Sequence, residues 1–205
     1  MHEFELIRKY FSKLTNKSKG SLNLNDDVFF DKDTKTVVSI DTYVLGKHFV
    51  NFKNPDLVIK KVIRSSISDL ICKGVKPKYY FLSGSGNNKT FTKTNLAKIS
   101  KSLKEEQKKY DIILGGGDTV YSNKLSFTVT TIGFAKKIVY RNKSKVHDDL
   151  YLTGNIGDSF LGLLVLKNKI KINKKLSTYF INQYYKPEIK YSLINHLNRF
   201  ATSSI

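Results

Sequence analysis

Acidic residues are few in this chain, which makes their placement informative: Asp26-Asp27, Asp41, Asp69 and Asp118. Asp26-Asp27 precedes a short apolar stretch, and Asp41 follows directly on the apolar run Thr36–Ile40. Asp118 follows three glycines, Gly115-Gly116-Gly117, at the end of another apolar run. Strand-end loops are where open sheets hold ligands. Asp69 differs, because Val58, Val62, Ser65 and Asp69 share one helical face at i, i+3 and i, i+4 spacing. A carboxylate on an inward face needs a partner. Mg²⁺ takes oxygen ligands from a few carboxylates and from substrate phosphates, and would supply one. Carboxylates from separate segments repel one another, so such a site is loose until metal arrives. Taken singly, each Asp also reads as a turn, a cap or a surface acid; the chemistry rests on the set.

The glycine triplet is the second feature. Consecutive glycines let backbone N–H groups line a concavity that phosphate can approach. They also make ordinary turns. No Lys-Ser/Thr pair follows, so this is not a Walker loop. Gly154-Asn155-Ile156-Gly157-Asp158-Ser159 reads as a capped helix entry without any ligand. His48 has no second His at metal spacing, which argues against zinc. No residue is assigned as a general acid or base.

The elements that must position these groups alternate between strand and helix patterns. Glu3–Leu14 has helical apolar spacing, and Thr36–Ile40 reads as a buried strand. A helix opens at Pro55 with Asn54 as its cap and stops at Gly74. Strands are expected at Lys78–Leu82, Ile112–Leu114, Leu125–Ala135 and Asp149–Thr153. Helices are expected at Thr94–Tyr110 and Ser159–Lys167, with two more helical stretches split by Pro187. The class is therefore α/β or α+β with a mixed sheet. A boundary falls in the basic connector near residues 136–148, giving units 1–140 and 141–205.

The 205 residues, 40% hydrophobic, suffice for a real core. The net charge of +19 comes from lysines spread along the chain. Lys, Asn, Ile, Phe and Tyr are frequent together, the mixture of an AT-biased genome, and no zinc-finger, RNA-recognition or basic-zipper pattern appears. Nucleic acid is not an expected partner. No apolar run is long enough for a bilayer, and the opening residues do not read as a signal peptide. Cys72 stands alone, so no internal disulfide forms. The expected address is the cytoplasm.

An ordered series of segments then resembles the thiamine-monophosphate kinases. It comprises Phe4-Glu5-Leu6-Ile7, Asn25-Asp26-Asp27, Asp41 to Phe49, Ser68-Asp69-Leu70, Gly74-Val75-Lys76-Pro77, Gly116-Gly117-Asp118-Thr119 and Thr153 to Asp158. The resemblance implies the aminoimidazole ribonucleotide synthetase fold: an N-terminal mixed-sheet domain that dimerises through its sheets, followed by a C-terminal α/β domain. It implies ATP-dependent phosphorylation of thiamine monophosphate to thiamine diphosphate. It gives Mg²⁺ to Asp27, Asp41, Asp69 and Asp118, with Ser39 as a further oxygen ligand. It gives ATP to Gly117, Asp118 and Arg141, and thiamine monophosphate to His48.

The sequence departs from that family at Asn25, usually Gly, at Ile40, usually Thr, and at Leu45, usually acidic. Ala201–Ile205 resembles the lead-in to an Asp-x-Ser-Asp-Gly-Leu motif that does not follow, and an incomplete second domain is therefore expected. Two rivals remain. One is a nucleotide-binding remnant without activity. The other is a different ATP-dependent kinase or synthetase of the same fold, although a selenophosphate-synthetase-like enzyme would carry a reactive Cys near its N-terminus.

Overall fold

A computed structural model describes residues 2–205. Its frame is a five-stranded sheet in the order β1-β2-β5-β3-β4. The strands are β1 (Phe29–Asp31), β2 (Thr36–Val44), β3 (Pro77–Gly86), β4 (Ile113–Tyr121) and β5 (Ser126–Phe134). β1 is antiparallel to β2, and β5 lies antiparallel between β2 and β3. β3 and β4 are parallel. The helices are α1 (Glu3–Leu6), α2 (Pro55–Cys72), α3 (Lys93–Tyr110), α4 (Asp158–Leu166), α5 (Lys174–Tyr185) and α6 (Ile194–Phe200). This is the expected mixed α/β class.

Period-two alternation decides which face each strand residue takes. On β2, Val37, Ser39 and Tyr43 are buried, whereas Ile40 and Thr42 are exposed. On β5, Phe127, Val129 and Thr131 are buried. This inner face packs on α2, whose Val58, Ile59, Val62, Ile63 and Ile67 are all fully excluded from solvent. Tyr184 and Tyr185 of α5 and Ile194 of α6 join the same core. Among the described residues, no helix covers the opposite face of the sheet. Ile40 is 67% exposed there, and Tyr79, Phe81, Ile113, Val120 and Phe134 are also exposed.

The end of α2 follows its sequence closely. Gly74 adopts φ +72°, a conformation costly for any residue with a Cβ. Its N–H donates to the Ile71 carbonyl and the Val75 N–H donates to the Leu70 carbonyl, closing a Schellman turn. That turn delivers Lys73 to the interior, where it is completely buried.

Several expectations need correction. β2 runs on to Val44, so Asp41 lies inside the strand and not beyond it. β4 runs on to Tyr121, which puts Gly115–Gly117 and Asp118 inside a strand as well. Asn54 holds the N-cap position of α2, but its side chain makes no capping bond. The helix expected over Glu3–Leu14 is α1 followed by a wide π turn at Ile7–Phe11 and a tight 3₁₀ turn at Ser12–Thr15. Asp149–Thr153 forms no strand: Leu150 is 99% and Tyr151 84% exposed, with no neighbouring strand to pair. Alternation there had no sheet to act on. No described helix is long and apolar enough to cross a membrane.

Candidate functional site

Ser39, Asp41 and Tyr43 project from the inner face of β2 toward α2. The Ser39 hydroxyl donates to Asp69 Oδ2 at 2.6 Å. The Tyr43 phenol donates to Asp41 Oδ2 at 3.0 Å and accepts from the Ser66 hydroxyl at 3.1 Å. The inward stripe of α2 thus ends, as its spacing predicts, on a carboxylate facing the sheet.

Burial is the main force on both acids. It pushes Asp69 up to about 6, against the bond from Ser39, and the negative charges of Asp41 and Asp27 add to the rise while Lys73 opposes it. Asp41 is also raised, first by burial and then by the charge of Asp27, with the Tyr43 bond acting the other way. Each of these carboxylates therefore destabilises the charge on its neighbours. A multivalent cation would reverse the sign of that interaction. The donors are all oxygen, the set suited to a hard cation.

Asp27 sits at the rim and is already paired. Its Oδ1 accepts from Arg141 Nη1 at 3.0 Å, and Lys73 Nζ lies 3.3 Å from its Oδ2. Lys73 is closer to Asp26 Oδ1, at 2.8 Å, and also donates to the Ser204 carbonyl at 3.0 Å. Asp26 further accepts from the backbone N–H groups of Asp27 and Arg141, both at 2.9 Å. With Asp27 turned to these cations and Asp41 held by Tyr43, no three His, Cys, Asp or Glu side chains among the described residues converge closely enough to grip a metal ion.

His48 stands beside this group. Its ring meets Tyr43 edge-on at 5.8 Å. Nδ1 accepts from the Val44 N–H at 3.0 Å, while the His48 carbonyl accepts from the Tyr184 hydroxyl at 3.0 Å. The loop is thus anchored from both sides, and Nε2 is left for a ligand.

Gly117 and Asp118 do not join the group. β4 is separated from β2 by β5 and β3, about 14 Å at ordinary strand spacing. Asp118 pairs in register with Ser83, and Ser83 with Thr128, on the outer face of the sheet. Among the described residues its Oδ1 accepts from the Thr119 N–H, at 2.8 Å. The glycines also have a packing reason: a Cβ on Gly117 would run into the Leu82 carbonyl, and one on Gly115 would meet the Phe81 ring. They let β3 and β4 approach, so the triplet is not a free loop.

Of the predicted site residues, Asp27, Ser39, Asp41, Asp69 and Arg141 lie together with His48 alongside, and Gly117 and Asp118 lie apart. Sequence reasoning missed Asp26, Tyr43 and Lys73. No local signal marked Lys73, whose partners Asp26 and Asp27 lie far away in the sequence.

Comparisons with known proteins identify the family and the fold. Residues 25–135 match the family model for AIR synthase related proteins, N-terminal domain. The thiamine-monophosphate kinase of Buchnera aphidicola subsp. Schizaphis graminum is 33% identical over 214 residues, covering 100% of this chain. The chain spans 64% of that relative's length. The crystal structure of thiamine monophosphate kinase from Aquifex aeolicus superposes with a TM-score of 0.83 at 23% identity, covering 99% of this chain and 68% of that one. A second structure, AaThiL complexed with AMPPCP and TMP, gives a TM-score of 0.87 at 24% identity, covering 98% of this chain and 64% of that one. These two likenesses establish the fold. The chain belongs to the AIR synthase related family, and within that family its similarity is to the thiamine-monophosphate kinases.

Proposed function

We propose that this chain carries the ATP- and Mg²⁺-binding part of an enzyme that phosphorylates thiamine monophosphate to thiamine diphosphate. The observation that carries the reading is the Asp69 carboxylate, bonded to Ser39 and raised first by burial and then by the charges of Asp41 and Asp27. Such a group has little use in a core but is suited to a divalent cation. The curated relative is named for this activity. The related structure with AMPPCP and TMP holds the corresponding pair of ligands.

The acceptor is a phosphate monoester, anionic near neutral pH, and needs no general base. Its oxygen attacks the γ-phosphorus in line, the bond to the β–γ bridging oxygen breaks, and ADP leaves. The obstacle is repulsion between two polyanions. Mg²⁺ held by Asp27, Asp41 and Asp69, with Ser39 nearby, would supply the neutralising charge. Arg141 contacts the ATP phosphates, and His48 Nε2 faces thiamine monophosphate.

The chain works as a homodimer, and Asp118 and Gly117 are given to ATP by the family resemblance. The exposed apolar outer face, with Ile40, Tyr79, Phe81 and Phe134, supports pairing of two sheets. Asp118 lies on that same face, where a second copy would meet it. Residues 141–205 are the beginning of a C-terminal domain laid on α2. The protein works in the cytoplasm, free of nucleic acid and membrane.

The test is formation of thiamine diphosphate from thiamine monophosphate and Mg-ATP by the purified protein, followed by chromatography. Product with γ-phosphate transfer supports the kinase. Mg-ATP binding without product favours the nucleotide-binding remnant. Turnover only with another acceptor favours a different kinase or synthetase of this fold. Trapping of a phosphoenzyme during turnover would overturn direct transfer.

A further inference from the structure

Two of the residues given to the ligands are bonded to each other. Arg141, the residue for the phosphates, and Asp27, a residue for the metal, form an ion pair at 3.0 Å. Neither can serve its ligand while that pair stands. We propose that Lys73 and Arg141 divide the two oxygens of Asp27, that Lys73 keeps Oδ2 permanently, and that Arg141 is a latch on Oδ1 which metal-bound nucleotide opens. This rests on the functional reading above.

The two cations differ in their freedom to leave. Lys73 has no solvent exposure and is held by Asp26, Asp27 and the Ser204 carbonyl. Asp26 is itself 4% exposed, so removing the ammonium would strand a buried charge. Lys73 is therefore a positioning residue: it turns Oδ2 inward and leaves Oδ1 as the oxygen that changes partners. The Arg141 side chain is 32% exposed. Its guanidinium bonds to Asp27 and otherwise lies 5.9 Å from the centre of the Phe4 ring.

The Arg141 backbone is fixed independently of its side chain. Its N–H donates to Asp26 Oδ2, and its carbonyl accepts from the Ser203 hydroxyl at 2.6 Å. Opening the latch is thus a rotation of side-chain torsions on a fixed backbone. The Phe4 ring that the guanidinium faces also lines an open cleft of about 650 Å³, together with Arg8, Asn23 and Asn25.

The energetic consequence is coupling. Metal alone takes Asp27 and leaves Arg141 without its carboxylate. Nucleotide alone takes Arg141 and leaves Asp27 half-paired. Metal-nucleotide satisfies both at once, so the pair selects against either ligand by itself.

The test uses Mn²⁺ without nucleotide, with free Mn²⁺ measured by electron paramagnetic resonance on the purified protein. R141Q should bind Mn²⁺ about tenfold more tightly than wild type, because the competitor for Oδ1 is gone. Arg141→Lys, which retains the charge on a shorter reach, should fall between. The gain should vanish in the double variant D27N/R141Q, which localises it to Asp27. R141Q should meanwhile lose the thermal stabilisation by Mg-ATP. Equal or weaker Mn²⁺ binding by R141Q, or a gain that persists without Asp27, overturns the latch while leaving the kinase reading intact. If wild type binds neither Mn²⁺ nor Mg-ATP, the kinase reading fails and the latch with it.

Discussion

Ser39 on β2 and Asp69 on α2 are joined by a 2.6 Å hydrogen bond between residues thirty positions apart. The bond ties the sheet to its covering helix at the point where the core turns polar. It satisfies one oxygen of Asp69 without supplying a positive charge. Burial outweighs that bond and the charge of Lys73, so the carboxylate carries a net cost whenever it is ionised in the metal-free protein.

That cost predicts a pH-dependent effect of Asp69→Asn. The folded-state value for Asp69 is about 6 against an unperturbed 3.8. A raised carboxylate favours folding at low pH and loses that advantage as pH climbs through its folded value. The difference corresponds to at most about 3 kcal/mol, and on the order of 1–2 kcal/mol once solvent near this part-exposed group is counted. Asn keeps an oxygen for Ser39 and removes the charge. In EDTA, Asp69→Asn should unfold at a higher temperature than wild type at pH 8 and at an equal one near pH 4. A variant less stable at both values would show that the carboxylate is structural.

Asp41→Asn should remove stabilisation by Mg-ATP. At a ligand concentration 100 times Kd, wild type should gain about 2.7 kcal/mol. Asp41 bonds to Tyr43 through one oxygen and stands among the charges of Asp27 and Asp69. The amide can retain the Tyr43 bond but offers a metal no charge. Thermal shift with and without Mg-ATP measures the difference, and an undiminished shift in the variant would count against the metal site.

Much of this arrangement was legible in the residues. The inward stripe of α2 predicted the direction of Asp69, because 3.6-residue periodicity continues through the polar end of a helix. The stop at Gly74 was legible from chain chemistry alone. Strand ends were not: Asp41 and Asp118 lie inside β2 and β4, since polar residues continue a strand wherever a neighbour supplies hydrogen bonds. The separation of Asp118 from Asp41 was equally hidden. It depends on β5 and β3 lying between their strands, a matter of sheet order that no local pattern encodes. Lys73 escaped because a lysine four residues after an aspartate ordinarily marks a solvated helix face.

Ile40 tests the sheet face as an interface. It is 67% exposed and lies opposite Thr130 in register, near the middle of β2. Ile40→Glu should leave the fold within about 0.5 kcal/mol of wild type, as surface changes do. It should also convert a dimer to a monomer in sedimentation velocity. A wild type that sediments as a monomer at all concentrations would remove the interface.

Gly117 separates two explanations for the glycine triplet. If the glycines serve phosphate contact, Gly117→Ala harms nucleotide binding and leaves the empty protein unchanged. The geometry predicts the opposite order of effects. An added Cβ meets the Leu82 backbone on the paired strand, and backbone cannot move aside as the end of a side chain can. β3 and β4 must then separate locally, breaking ladder bonds on both sides of Leu82. Forced overpacking of this kind costs about 1–3 kcal/mol. Chemical denaturation of Gly117→Ala without nucleotide should show that loss, and hydrogen exchange should place it in β3 and β4. Unchanged stability with selective loss of Mg-ATP binding would return the triplet to the role of a phosphate loop.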